Sequence, residues 1–531
     1  MHSSTTTTAT VPRDAGAEAP RAFPLASVEH LQALAFLFGL DAPSPAGARV
    51  LELGCGGGDN LIPFAARHPQ ARAVGIDPDP ARLRAGAGLI ARARLMNIEL
   101  RAIAIEDIDA AFGEFDYIVC HDVYSGVAPA VQQAILRVCA RNLAPDGVAF
   151  VSYKVYPGWK SREIVRDAMN LRGAPRDEPD EKLAYARGML DFLDRHAPAG
   201  SVLKRALEAN LPLVRGASSD WLLQEFLQPA HAPCYFKEFV ARADAEGLTY
   251  LADAEPQTMF ARNHGERLRE SLMRECGASQ IMMEQTLDFL VDRTHRQSLL
   301  VKRERAPGIR WRLDLERIRG LDFAGSFAAE DGSPLAMTGG GQACRTPGGQ
   351  SLVLRLPVHR AVALALEEIF PATMKVDALL AEVAARTGES RTALEAPVLA
   401  MLEELLILGA VRIRRSPPRV AATVSALPEA PAALRTARAV ALSAGPSATV
   451  TNQWHEPVAL SPLERVLLPL LDGRHSHDDL ARHLAGEATA GRLRLIRDDK
   501  PLTDEDALLA FARQQVGFAL RDLRRKALLA G

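Results

Sequence analysis

Apolar positions at helical spacing over residues 28 to 40 (VEHLQALAFLFGL), closed by a glycine, predict a helix ahead of the first strand. The run Ala48-Arg49-Val50-Leu51 then reads as a strand. It passes through Glu52 to Gly58 (ELGCGGG) straight into a helical stretch from Asp59 to Arg67. A second strand, Ala73-Val74-Gly75-Ile76, ends at Asp77, and Pro80 to Leu95 follow as a helix. Strands are further predicted at Ile98 to Ile103, at Phe115 to Cys120 and, after a helix from Ala130 to Leu143 and a turn at Ala144-Pro145-Asp146-Gly147, at Val148 to Tyr153. Five strands alternating with helices predict a parallel, doubly wound α/β sheet of the Rossmann type. In such sheets ligands bind outside the carboxyl ends of the strands.

Beyond the fifth strand the pattern is helical from about Trp159 to Leu227, broken by the polar RGAPRDEPDE. A helix from Tyr235 to Glu246, ended by Gly247, leads to a strand at Leu248-Thr249-Tyr250-Leu251, and Arg293 to Arg303 reads as one more strand with a basic entry. These elements predict one domain over 21–305 with helical inserts at 160–232 and 256–292. Residues 306–360 read as a β-containing connector. Helices at 361–368, 376–385 and 394–406 and a strand at 409–413 form a winged-helix-like unit over 361–415. A Pro/Ala-rich linker over 416–448 precedes a second such unit over 449–531, with helices at 464–471, 477–484 and 508–526. The first 20 residues read as a disordered tail.

Composition narrows the function class. The chain has 531 residues, 48% apolar and 24% charged, with a net charge of −2. That balance leaves no electrostatic footprint for nucleic acid and no polybasic membrane signal. The one tight basic cluster, Arg521, Arg524, Arg525 and Lys526, closes a helix whose dipole it complements, so the winged-helix-like units are expected to dock protein or pack structurally. Six scattered cysteines without a C-x-x-C pair argue against a metal site and for thiols in a reducing compartment. With no apolar run long enough to span a bilayer and no apolar core of a signal peptide, the expected location is cytoplasmic.

The glycine loop carries the chemistry. A strand that ends in glycines and enters a helix makes a nest of backbone N–H groups beside a helix N-terminus. Dinucleotide sites use G-x-G-x-x-G and a pyrophosphate; here the pattern is E-x-G-x-G-x-G. Glu52 would repel a pyrophosphate but suits a cationic amino-acid ligand, which favours S-adenosylmethionine. Asp77 stands where a carboxylate accepts hydrogen bonds from two ribose hydroxyls. The candidate cofactor residues are Glu52, Gly54, Cys55, Gly56, Gly58, Asn60, Asp77, Pro78, Ile105, Glu106 and His121. An aromatic wall of Tyr124, Tyr153, Tyr156 and Trp159, together with His121, is the candidate catalytic set. Such a wall lowers the pKa of an acceptor amine and tolerates a cation on its faces. His121 has the pKa range to take a proton, and a scaffold role for it and a packing role for the aromatics stay open.

VLELGCGGGDNLIP, FDYIVCHDVYSGV and VAFVSYKVYPGWK resemble the bacterial class I methyltransferases that carry a methyltransferase regulatory domain. The stretch from SDWLLQEFLQPAHAPCYFKEF to DFLVDRTHRQSLLVKRE, at about 219–303, resembles that regulatory domain, and VTNQWHEPVALSPLERVLLPLLDG resembles the C-terminal domain of the group. The group includes the rickettsial-type protein lysine methyltransferases. The resemblance implies methyl transfer from S-adenosylmethionine to a protein lysine; a peptide or small-molecule acceptor, or an impaired cofactor-binding regulator, is the alternative. Glu52, Gly54, Gly56, Gly58 and Asp77 keep the cofactor pattern. Ala104 replaces the acid that usually reads adenine, which leaves that role to Glu106, Asp107 or the backbone. Asp122, Gly126, Lys154 and Gln224 depart from the pattern on the acceptor side, where altered acceptor choice is expected. Lys154 would oppose a sulfonium unless it points away or pairs with Asp122; Asp122 itself holds an ammonium or caps a turn. A homodimer through the helical inserts is expected.

Overall fold

The computed structural model describes residues 22–435, 449–493, 495–497, 500–501 and 504–531. The expected tail at 1–20 lies outside them, as does 436–448 of the expected linker. A seven-stranded sheet forms the framework, in the order β3-β2-β1-β4-β5-β7-β6: β1 Arg49–Leu53, β2 Arg72–Ile76, β3 Ile98–Arg101, β4 Phe115–Cys120, β5 Leu143–Lys154, β6 Leu248–Asp253 and β7 His295–Lys302. β1 pairs in parallel with β2, and β2 with β3. β7 runs antiparallel to both β5 and β6, so the sheet is mixed at that edge. In β1 and β2 four of five residues are buried, the continuous burial of a strand covered on both faces, with Glu52 the one charged residue in the run.

The chain divides into two compact units, one holding the described residues up to 104 with 115–117 and 308–531, the other 105–114 and 118–307. In the first, helix α1 (Val28–Leu37) is capped by Ser27, whose side chain accepts from the His30 N–H. Helix α2 (Leu61–Arg67) follows the glycine loop. Helix α3 (Pro80–Ala93) starts with Asp79 as its cap and proline at its first position, and ends on Arg94 at φ +53°. β3 stops at Arg101, two residues before the expected end, because Ile103 N–H turns back to the Arg101 carbonyl.

Further along this unit, helices Pro357–Ile369, Val376–Thr387 and Arg391–Leu408 combine with a three-stranded sheet built from Asp322–Ala324, Met374–Lys375 and Arg412–Arg414. That is a winged-helix arrangement. A second one carries the hairpin Thr449–Thr451 and Pro457–Ala459 and helices Pro462–Leu467, His477–Thr489 and Glu505–Arg525. The described part of the 416–448 stretch packs on it: Ala421 and Ala430 are buried in its core and bond to the carbonyls of Leu529 and Leu471.

In the second unit, helix α4 (Pro129–Asn142) precedes β5, which begins at Leu143, the expected end of the helix, and runs through Ala144 to Gly147, where a turn is expected. Arg305 Nη1 holds that segment by donating to the carbonyls of Asp146 (2.8 Å) and Gly147 (3.4 Å). Four helices come next: α5 (Gly158–Gly173), α6 (Pro179–His196), α7 (Val202–Gly216) and α8 (Ser219–Phe226). They bury a core of their own around Met169, Leu207, Leu222 and Phe226. No helix among the described residues is long and apolar enough to cross a membrane.

Candidate functional site

The loop after β1 needs its glycines. Gly54, Gly56 and Gly58 sit at φ +72°, +53° and +82°, where a side chain is strained, and nothing stands within 4 Å of a Cβ position on Gly56. Helix α3 comes so close that a Cβ on Gly86 would lie 2.1 Å from the Gly57 carbonyl oxygen. Cys55 is buried, its N–H donates to the Ile76 carbonyl at 2.9 Å, and burial pushes its thiol pKa up.

Two carboxylates flank the loop. Asp77 is 4% exposed, and its two oxygens accept from the N–H groups of Gly56 (3.1 Å) and Asp79 (2.9 Å), which fixes the carboxylate in place. Pro78 beside it is exposed. Glu52 is also 4% exposed; its Oε1 accepts from Asn60 Nδ2 at 2.7 Å, while Oε2 is buried with no hydrogen-bond partner. Burial pushes its pKa up to about 8 against the pull of Asn60. A buried acceptor left open beside an unobstructed glycine loop fits the ammonium group of an amino-acid ligand.

Residues 105–114 past β3, and those past β4 and β5, belong to the other unit. Ile105 is buried, whereas Glu106 and Asp107 are exposed on a single 3-10 turn. His121 is half-buried, with Nδ1 3.0 Å from Ser152 Oγ, and the same oxygen takes the Asp122 N–H at 2.7 Å. Asp122 lies at φ +58°, exposed. Tyr124 is fully buried, edge-on to Tyr153 and Phe239, and burial raises its hydroxyl to about 12 against the pull of Arg242. Tyr153 stacks on Phe239 at 3.9 Å and its hydroxyl bonds to Ser298 Oγ at 2.9 Å, inside the core. A Cβ on Gly126 would stand 3.0 Å from Gln228 Oε1, so the Gln228 side chain lies against this position.

Lys154 finds a partner the sequence reading did not name. Its ammonium is 3.0 Å from Glu225 Oε2, donates to the Glu225 carbonyl at 3.2 Å and lies 4.4 Å from the Trp159 ring centroid. The cation is therefore neutralised from helix α8. Burial would raise Glu225, but His295 and Lys154 hold it down to about 2. Trp159 is fully buried, its ring tilted against His231 with the centroids 4.7 Å apart; burial and Lys154 push His231 down to about 3, so it is neutral. Trp159 Nε1 and His231 Nε2 are both buried without a hydrogen-bond partner. Tyr156 is half-buried and its hydroxyl donates to Glu163. Gln224, another departure, is exposed next to Glu225. Sequence reasoning missed Glu225 and His231, whose only signal was their place within the regulatory-domain motif.

Three family models match the chain: a methyltransferase domain at residues 50–147, a predicted methyltransferase regulatory domain at 218–302 and the PKMT C-terminal winged helix domain at 429–528. The chain is 27% identical over 488 residues to an uncharacterized protein of Rickettsia prowazekii, covering 90% of this chain and 86% of that one. A second uncharacterized protein of the same organism is 32% identical over 223 residues, 42% of this chain and 89% of its own length. Among solved structures, PKMT2 from Rickettsia typhi in complex with AdoHcy superposes with a TM-score of 0.84 at 26% identity, over 97% of this chain and 100% of that one.

Proposed function

We propose that this chain, which belongs to the class I S-adenosylmethionine-dependent methyltransferases that carry a regulatory domain and a PKMT-type winged helix, methylates lysine side chains of a protein substrate. The likeness to PKMT2 over nearly the full length of both chains carries the choice of acceptor. A small-molecule methyltransferase needs a cap on its sheet, not two winged helices.

The bound cofactor supplies an electrophilic methyl group on a sulfonium. Glu52, with its unpartnered Oε2, would hold the ammonium of its amino-acid end, and Asp77, already fixed by the Gly56 and Asp79 N–H groups, would accept from the ribose hydroxyls. Gly54, Cys55, Gly56, Gly58 and Asn60 would form the cradle, with Pro78 beside Asp77. The attacking amine must be neutral. Half-buried Tyr156 excludes water and disfavours the ammonium form, the fully buried Tyr124 and Trp159 serve as packing, and His121, oriented by Ser152 at Nδ1, exchanges the proton at Nε2. Positioning and desolvation supply most of the rate enhancement. The site works in the cytoplasm, where the six unpaired thiols stay reduced.

Methyl-labelled S-adenosylmethionine, incubated with the protein and a bacterial protein extract, tests the acceptor. Label recovered as methyllysine after acid hydrolysis of the protein fraction is the expected result. Label on small molecules alone, or on protein as an ester, contradicts a lysine acceptor, and no transfer at all turns the protein into a cofactor-binding regulator.

A further inference from the structure

The turn of the 449–459 hairpin, in the C-terminal winged helix, presents His455 at φ +66° and only 2% exposed. Asn452 builds that turn. Its Oδ1 accepts from the N–H groups of Trp454 (2.8 Å) and Glu456 (2.9 Å), and its Nδ2 donates to Glu456 Oε2 (2.8 Å) and the Lys526 carbonyl (3.0 Å). Trp454 anchors it from the side, donating to the Pro371 carbonyl at 3.0 Å beneath the Arg414 guanidinium. A histidine held this firmly in a left-handed turn is there to be delivered somewhere.

It is delivered to the residues behind the glycine loop, all within the same compact unit. Nδ1 lies 2.9 Å from Arg67 Nη2, and Nε2 lies 3.2 Å from Asn60 Oδ1. A guanidinium only donates, so Nδ1 accepts and Nε2 carries the proton. Nε2–H then identifies the nearer Asn60 atom as oxygen, and the Phe23 N–H, 2.7 Å from the same atom, agrees. The amide orientation follows: Nδ2 faces Glu52 Oε1 at 2.7 Å. Each donor and acceptor in the series Arg67, His455, Asn60, Glu52 is fixed by the one before it, and the series ends on the carboxylate beside the glycine loop. Arg67 is itself held by Glu29 through Nε at 3.1 Å.

We propose that His455 is a positioning residue of the S-adenosylmethionine site, locking the Asn60 amide and through it the Glu52 carboxylate, so that the C-terminal winged helix sets cofactor affinity. This rests on the reading of Glu52 as the partner of the cofactor's ammonium. Without His455 the Asn60 oxygen keeps one of its two donors, the Phe23 N–H, so the amide and its hydrogen bond to the Glu52 carboxylate are held less firmly.

The test is calorimetric titration of full-length variants with AdoHcy. His455→Phe keeps the ring volume and removes both hydrogen bonds; its affinity is expected to fall about tenfold. His455→Gln offers an acceptor to Arg67 and a donor to Asn60 and should return to within about threefold of wild type, a rescue that packing alone would not give. Asn60→Ala should cost as much as His455→Phe, and the double variant no more than either alone. Wild-type affinity in His455→Phe, with Asp77→Ala and Glu52→Ala binding poorly, overturns the role of His455 and leaves the cofactor site standing. Unchanged affinity in all of them removes the site itself. If His455→Phe fails to fold, Arg67→Met, which frees the imidazole tautomer, is read in the same way: an affinity loss supports the relay, and wild-type affinity overturns it.

Discussion

Glu52 is a carboxyl in an apolar place, and its titration is the most direct reporter of the site. Burial raises its pKa to about 8, so near neutrality the ligand-free carboxyl is mostly protonated, and taking up an ammonium group requires the proton to leave. Affinity for AdoHcy is therefore expected to rise from pH 6 to pH 8, by up to about tenfold per pH unit, and to be much flatter in Glu52→Gln. Titrations in buffers of different ionisation enthalpy count the released proton, and a pH-independent affinity contradicts the assignment. The stability sign is the reverse. Because the folded pKa lies above the unfolded one, the contribution of Glu52 to ligand-free stability is present below the unfolded pKa and lost as pH rises through about 8. The melting temperature of the ligand-free protein should fall more over that window in wild type than in Glu52→Gln. Glu52 and Asp77 were legible in the sequence because strand, glycine spacing and acid lie within one short stretch. Glu225 and His455 were not, because the groups they meet, Lys154 and Asn60, lie far away along the chain, and no local pattern records such a meeting.

At the level of elements, local signals were strong enough to place most boundaries. Ser27, Asp79 and Gly247 cap or end their elements as side-chain and glycine chemistry dictates. The ends of β3 and β5 moved because a backbone turn and Arg305 decide them. Helix α3 gives a sharp prediction. In Gly86→Ala the new Cβ would meet a backbone carbonyl, so the loop at Gly57 has to shift. Stability should drop by about 1–3 kcal/mol, with cofactor affinity lowered as well. Urea unfolding and AdoHcy titration check both, and an unchanged affinity argues against the close approach of α3 to the loop. Strand β7 gives another. Its Arg296 is fully buried and bonds Asp288, Glu284 and Asp253 at 2.7 to 3.4 Å. Removing one partner of such a network costs about 3–5 kcal/mol, because buried charges are left uncompensated. Arg296→Met should therefore unfold at much lower denaturant, and a midpoint near wild type contradicts that reading. The sequence reading placed the basic entry of this strand but not the three acids that meet it, since they come from β6 and from a separate helix, Gln280–Leu290.

For the whole molecule, the sequence motifs anticipated the α/β methyltransferase sheet, the regulatory domain and the C-terminal winged helix, which the family models and the likeness to PKMT2 bear out, while the parallel sheet expected from the strand–helix alternation proves mixed because β7 runs antiparallel to β5 and β6. The helices inserted after β5 expose Leu171, Phe192 and Val202, at 68%, 48% and 63%. We propose this as the surface of a homodimer. Light scattering should return twice the chain mass, and the mass of one chain contradicts it. We propose that the glycine loop, Glu52 and Asp77 hold S-adenosylmethionine in this methyltransferase. Titration of AdoHcy into wild type and Asp77→Ala tests it most directly. Saturable one-site binding to wild type and a loss of at least about tenfold in the variant are expected. Equal affinity in the two proteins, or no binding to wild type, would contradict it.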